Sequence, residues 1–229
     1  MNTSARFVVI ATVFVTCLIT ANIIAVKVIS VGSFILPAAI FVFPVSYIFG
    51  DVLTEVYGYH QARKVIWLGF LCNLVFVIFA WVGQVLPAAP FWEGQKAYES
   101  ILGYAPRLLA ASFLGYLAGE FTNSYIMARM KILTRGRWLW TRTISSTVVG
   151  QGLDTLIFIL VAFAGTPVFA LVMVLHHWLA KIIIEVAATP LTYLAVDSLK
   201  KRESTDIYDH DTNFNPFSIR GRQRKAIEQ

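Results

Sequence analysis

The chain has 229 residues, of which 57% are hydrophobic and 14% charged, with mean hydropathy +0.67. Soluble domains carry about 25% charged residues, so this composition excludes an ordinary soluble protein and points to a membrane-embedded bundle. The two cysteines, Cys17 and Cys72, exclude a disulfide framework and a CxxC metal pattern.

Hydropathy predicts an all-α, polytopic membrane protein with six transmembrane helices at about 7–30, 34–51, 65–86, 107–127, 143–164 and 168–198. The first run is too long for a signal-peptide core and lacks a convincing cleavage site, so it reads as a retained span, with Lys27 snorkelling to the surface. The second is short, and Pro37 and Pro44 suggest that it is kinked or broken. At its end Asp51 and Glu55 are i and i+4 on one helix face. The pair reads as a site or as a solvated helix end; Glu55 alone reads as solvated.

Residues 87–106 form the one sizeable outer loop, where Phe91, Trp92 and Tyr98 suit a helix at the interface or a lid. The fourth span places Glu120, Thr122, Asn123 and Ser124 in its inner half, as a site or as interhelical hydrogen bonds. The fifth opens with small and polar residues. Gly150 permits close helix approach, and Gln151 and Asp154 are near neighbours on the helix. The sixth carries Pro190, His176, His177, Lys181 and Glu185. Lys181 and Glu185, i and i+4, read first as a structural ion pair. His176 reads as a proton relay or as a bundle hydrogen bond. Adjacent histidines point in different directions and make no metal site. The chain divides into a six-helix transmembrane domain, 1–198, and a basic cytoplasmic tail, 199–229. Most of the tail is expected to be mobile, with Phe214 to Phe217 (FNPF) as a docking segment.

With the N-terminus in the cytoplasm, every Lys and Arg except Lys27, Lys96, Arg107 and Lys181 falls inside. The positive-inside rule therefore orients the bundle N-in, C-in. The net charge of +6 faces anionic lipid, and nucleic acid is not an expected partner.

An acidic side chain at mid-membrane costs roughly 2.5–3.5 kcal/mol on insertion scales, so Glu120, Asp154 and Glu185 mark a site or a pathway. A tyrosine precedes an acid by four residues at Tyr47/Asp51, Tyr116/Glu120 and Tyr193/Asp197, which reads as a repeat or as chance. No Walker loop, GxGxxG, GxSxG or HExxH is present, so neither an ATPase, a cofactor nor a metal is expected. No nucleophile and base pair is identifiable, and the chain does not read as an enzyme. A small-solute transporter fits best. The alternative is a substrate-binding membrane subunit that borrows an ATP-driven partner.

The segment FPVSYIFGDVLTEVYGYHQAR (43–63) resembles the bacterial queuosine precursor transporter family, also called the VUT family. The likeness continues at Gly119-Glu120-Phe121-x-Asn123-Ser124 and at Lys131-x-x-Thr134-x-Gly136-Arg137-x-x-Trp140-x-Arg142. Further matches are Gly150-Gln151-x-x-Asp154-Thr155, Lys181-x-x-x-Glu185, Pro190-x-Thr192-Tyr193 and Asn215-Pro216-Phe217. The resemblance implies uptake of 7-deazaguanines, bearing a cyano or aminomethyl group, across the bacterial inner membrane for tRNA modification. For such a cargo Glu120 or Asp154 would accept the guanine-like N1–H and amine in a fork. Asn123 and Gln151 would meet its carbonyl or ring nitrogens, and aromatic faces would stack on it. Glu185 or Asp51 would meet an aminomethyl cation. Lys181 completes the expected substrate-binding set. A chain of this size encloses such a site alone or shares it across a homodimer.

Overall fold

Ser4 starts the first helix: its Oγ accepts the Phe7 amide at 3.1 Å, satisfying a donor that the helix cannot pair. The computed structural model describes residues 4–31, 34–103, 106–165 and 171–218. The side chains of His176 and His177 and the tail beyond 218 lie outside that set, so the relay expected at His176 does too. Among the described residues the helices are α1 (Ala5–Ile24), α2 (Phe43–Tyr57), α3 (Tyr59–Val85), α4 (Gln95–Leu102), α5 (Pro106–Leu133), α6 (Leu139–Phe163) and α7 (Leu171–Glu203).

The first two predicted spans need correction. Helix α1 ends at Ile24, and the apolar run beyond it folds into an antiparallel hairpin of β1 (Val28–Val31) and β2 (Phe34–Pro37). Val28 is in register with Pro37 and Val31 with Phe34. Hydropathy counts apolar residues without distinguishing strand from helix, and the β-branched Val and Ile of 28–31 favour the strand. A 3₁₀ turn (Ala38–Phe41) leads into α2, where Pro44 stands in the first turn, the position proline tolerates, and causes no break. Pro190 does lie inside α7, and the helix continues through it. Nearby, the Thr189 hydroxyl donates to the Glu185 carbonyl at 2.8 Å, adding a bond where the proline removes one.

Helices α2 and α3 meet at a single residue, Gly58, whose φ of 78° is in the left-handed region that favours glycine. A Cβ there would also lie 2.8 Å from Cγ2 of Ile207. Helices α5 and α6 pack closest. A Cβ on Gly119 would stand 2.6 Å from Cβ of Asp154, and one on Gly150 would stand 2.9 Å from Cβ of Asn123. The close approach predicted at Gly150 is met by Gly119 on α5, so that Asn123 and Asp154 each pack on the opposing helix.

Large charged side chains are buried beside an apolar core, while large apolar ones face outward. Arg142, Lys131, Glu55 and Glu185 are among the largest fully buried side chains, while Phe79 (69% exposed) and Leu194 (68%) face outward. Exposed apolar faces around a charged interior suit a lipid solvent. Among the described residues, four helical segments are long and apolar enough to cross a bilayer: Ala5–Ile24, Tyr59–Val85, Leu139–Val161 and Trp178–Glu203. Helix α5 has 28 residues, but its polar side chains dilute its hydropathy. Helix α4 rests on the end of α3, where the Tyr98 hydroxyl donates to the Ala80 carbonyl at 3.0 Å.

The described part of the tail is held against the bundle, where its composition suggested a mobile segment. Residues 206–217 form a strap across the α2–α3 corner and α5. Tyr59 donates to the Phe214 carbonyl (2.9 Å), Arg63 to the carbonyls of Asn213 (3.1 Å) and Asn215 (2.8 Å), and Trp67 to that of Pro216 (2.9 Å). Asp209 accepts the Tyr59 amide at 3.0 Å and so caps α3. The FNPF segment docks as expected. The strap escapes a composition-based reading because its own backbone carbonyls, rather than apolar side chains, supply most of these bonds.

Candidate functional site

Two polar clusters lie inside the bundle. The first joins α2, α5, α6 and α7. Lys181 on α7 donates to Oδ2 of Asp154 (2.6 Å) and Oε1 of Gln151 (3.0 Å), both on α6. Tyr47 on α2 donates to the same Gln151 oxygen at 3.2 Å. Asn123 on α5 donates to Oδ1 of Asp51 on α2 at 3.0 Å, and Thr54 is bonded to Ser124 at 3.1 Å. Glu120 is 8% exposed and lies within electrostatic reach of Asp154, Asp51 and Lys181. Glu185 is fully buried, lies within electrostatic reach of Asp51, and has no hydrogen-bond partner for either carboxylate oxygen among the described residues.

All seven residues singled out from the sequence thus converge: Asp51, Glu120, Asn123, Gln151, Asp154, Lys181 and Glu185. The pairing expected within α7 is not formed. Lys181 turns to α6, because a partner on a neighbouring helix and a second acceptor from Gln151 outcompete the i+4 carboxylate. Tyr47 is a member that the chemistry-bearing residue types did not pick out. It lies near Asp154, Glu120 and Glu185 as well as Gln151. Its one sequence signal was its i, i+4 relation to Asp51. The three-tyrosine pattern does not recur as a structural unit: the Tyr116 hydroxyl donates to the Ile66 carbonyl, the Tyr193 hydroxyl accepts the Trp140 amide, and Asp197 is exposed.

The second cluster corrects the reading of Glu55 as a solvated helix end. Glu55 is 0% exposed. Arg142 grips both its oxygens, Nε to Oε2 at 3.1 Å and Nη2 to Oε1 at 2.8 Å, in a fork. Lys200 reaches Oε1 at 2.6 Å, and Lys131 lies 3.7 Å from it while donating to the Glu55 carbonyl and to Asp206. Lys200 also pairs with Asp206 at 2.9 Å. Arg142, Lys131 and Lys200 look like loop charges in the sequence. Helices α5, α6 and α7 extend beyond the apolar runs and draw all three inward. The i+4 relation to Asp51, which puts Glu55 on the same helix face, was the available signal.

Asp206 is held below the ordinary carboxylate range. Partial burial opposes this, but hydrogen bonds and charge from Lys131 and Lys200 outweigh it. With a folded value below the unfolded one, it contributes stability above about pH 4 that is lost as pH falls through its lowered value. A spin label at exposed position 210 is therefore expected to be immobile at neutral pH and to loosen in acid. Asp206→Asn should remove that step; an unchanged acid transition in the variant would show that Asp206 does not hold the strap.

Long helices with apolar outer faces and ionisable residues gathered inside define a multi-pass membrane protein built around a buried polar site. A family model described as "Putative vitamin uptake transporter" matches residues 37–195, and the chain belongs to that family. The chain is 33% identical over 159 residues to the "Probable queuosine precursor transporter" of Bacillus subtilis (strain 168), covering 68% of each chain. It is 26% identical over 139 residues to the "Queuosine precursor transporter" of Escherichia coli (strain K12), covering 61% of this chain and 59% of that one. A "Probable queuosine precursor transporter" of Haemophilus influenzae is 26% identical over 138 residues, 59% of this chain and 54% of its own. No solved structure matches the chain significantly.

Proposed function

We propose that this protein imports queuosine precursors, 7-deazaguanine bases, across a bacterial inner membrane for tRNA queuosine salvage, as a secondary transporter or facilitator. One observation carries the reading. In a chain resembling proteins named for that cargo, Asp51, Glu120, Asp154 and Glu185 share one polar cluster inside the bundle, and Lys181 pairs with Asp154 alone among them. A base with adjacent N–H donors complements such an excess of acceptors. Asp154 is engaged by Lys181, so Glu120 is the carboxylate best placed to take the N1–H and amine fork. Gln151 receives Lys181 and Tyr47 on its oxygen, which leaves its amide to donate to the base carbonyl.

The bundle crosses six times, N-in and C-in. Helices α1, α3, α6 and α7 cross outright, and α5 has the length. Helix α2, with 15 residues, rises about 22 Å against a hydrocarbon core of about 30 Å. The hairpin before it completes that crossing. The strap and the Glu55 cluster then close the cytoplasmic face.

The test is queuosine in tRNA from cells unable to make the precursor but supplied with it at low concentration. Cells expressing this chain should regain queuosine, and empty-vector cells should not. Uptake by the purified chain alone in liposomes would exclude a required ATPase partner. A well-inserted chain that restores no queuosine in either setting would overturn the assignment of cargo.

A further inference from the structure

Glu185 takes no part in the recognition of the base proposed above. It is 0% exposed in α7, which packs on α2 and α6. Neither of its carboxylate oxygens has a hydrogen-bond partner among the described residues. From α2, Asp51 (1% exposed) and Tyr47 lie within electrostatic reach, and Oδ2 of Asp51 is likewise unpartnered. From α6, Asp154 is paired with Lys181 of α7 at 2.6 Å, and Arg142 grips Glu55. Lys200, further along α7, is bound to Glu55 and Asp206. On α5, Glu120 adds a carboxylate near Asp51 and Asp154. Among the described residues the inward cations of these helices are thus engaged elsewhere, and Glu185 faces another acid.

A carboxylate in a dry interior with neither cation nor donor is too costly to keep as an anion; carrying a proton, the same group is neutral and itself a donor. Two neighbouring acids relieve their repulsion in the same way, by holding one proton between them. Inside a membrane such acids are the groups that carry protons across. We propose that Glu185, facing Asp51, is the proton-carrying group of this protein, and that each precursor enters together with one proton. This rests on the import reading and deepens it, making the protein a proton-coupled importer rather than a facilitator. The proton joins Glu185 from the outer side, crosses with the cargo and leaves to the cytoplasm, so one positive charge accompanies a neutral base. The link to the base runs through α2. Asp51 and Tyr47 are one helical turn apart, and Tyr47 donates to Gln151, the residue proposed to face the base. A proton on Glu185 removes a negative charge from beside both.

The test uses the purified chain in liposomes with the labelled cyano base, whose arm is neutral. With one pH unit across the bilayer, acid outside, one-to-one coupling should drive accumulation to about ten-fold above the outside concentration, and a protonophore should abolish it. Adding the base should also acidify the lumen. Entry that only equilibrates the base, accumulation driven by a sodium gradient instead, or entry in cells but not in liposomes would each overturn the proposal and leave the import reading standing. If the base enters neither liposomes nor cells, the import reading fails and the proton site falls with it. Two further measurements locate the proton. In Glu185→Gln, the ratio of gradient-driven accumulation to exchange of internal for external base should fall about ten-fold, whatever loss exchange itself suffers; an unchanged ratio would overturn the assignment. In the wild type, dicyclohexylcarbodiimide, which attacks protonated carboxyls in apolar surroundings, should label Glu185 near neutral pH. Transport-competent protein without that adduct would overturn the assignment even if the variant failed to insert.

Discussion

Glu55→Ala is expected to destabilise the folded chain by about 3–5 kcal/mol, the scale seen when one member of a buried ion pair is removed. The size follows from what the residue holds. Its carboxylate is 0% exposed and receives the Arg142 fork, and Lys200 and Lys131 lie 2.6 Å and 3.7 Å from Oε1. Without it Arg142 and Lys131, each 1% exposed, remain in the interior with Asp206 as the one carboxylate of the cluster. Residues on α2, α5, α6, α7 and the strap all depend on this carboxylate, so the loss should appear as lower cooperativity as well as lower Tm in detergent. Asp206→Ala should cost much less, because its side chain is 41% exposed and water takes over. Comparable losses for the two variants would mean that Glu55 is not the hub.

The second large effect is expected at Lys181 and Asp154. Each of Lys181→Met and Asp154→Asn should lower precursor uptake by about ten- to a hundred-fold, as loss of a charged hydrogen bond does. Their 2.6 Å pair is shared with Gln151, the residue proposed to face the base, so removing either partner frees the other and misplaces the amide. The double variant separates function from scaffold. A pair that only supports the fold should regain most uptake once both charges are gone, because no buried charge is left unpaired. A pair that positions Gln151 for the substrate should stay impaired, and that is the expected outcome. Recovery in the double variant would reduce Lys181 and Asp154 to a structural role.

Much of the candidate site was legible without coordinates, for a definite reason. An acid, lysine or amide inside an apolar run stands out locally, and helical i, i+4 spacing states which of them share a face. That logic placed Asp51 with Glu55 and Gln151 near Asp154, and all four point inward. It failed where a residue had a choice of partners. Lys181 has Glu185 one turn away on its own helix yet bonds Asp154, because α6 approaches closely enough to offer a second acceptor. It also failed at Arg142 and Lys131, which read as loop charges and are buried around Glu55.

Sequence by itself determined the solvent of this protein, its mainly helical build and most members of its central polar cluster. These depend on composition and local periodicity, quantities that add up along the chain. Tertiary structure decided the hairpin at 28–37, the docking of the strap and the partners of the buried basic side chains. Those outcomes depend on the distance between helices. In α5 and α6 that distance is governed by three glycines, Gly115, Gly119 and Gly150, where a single Cβ would stand within 2.6–2.9 Å of the opposing helix.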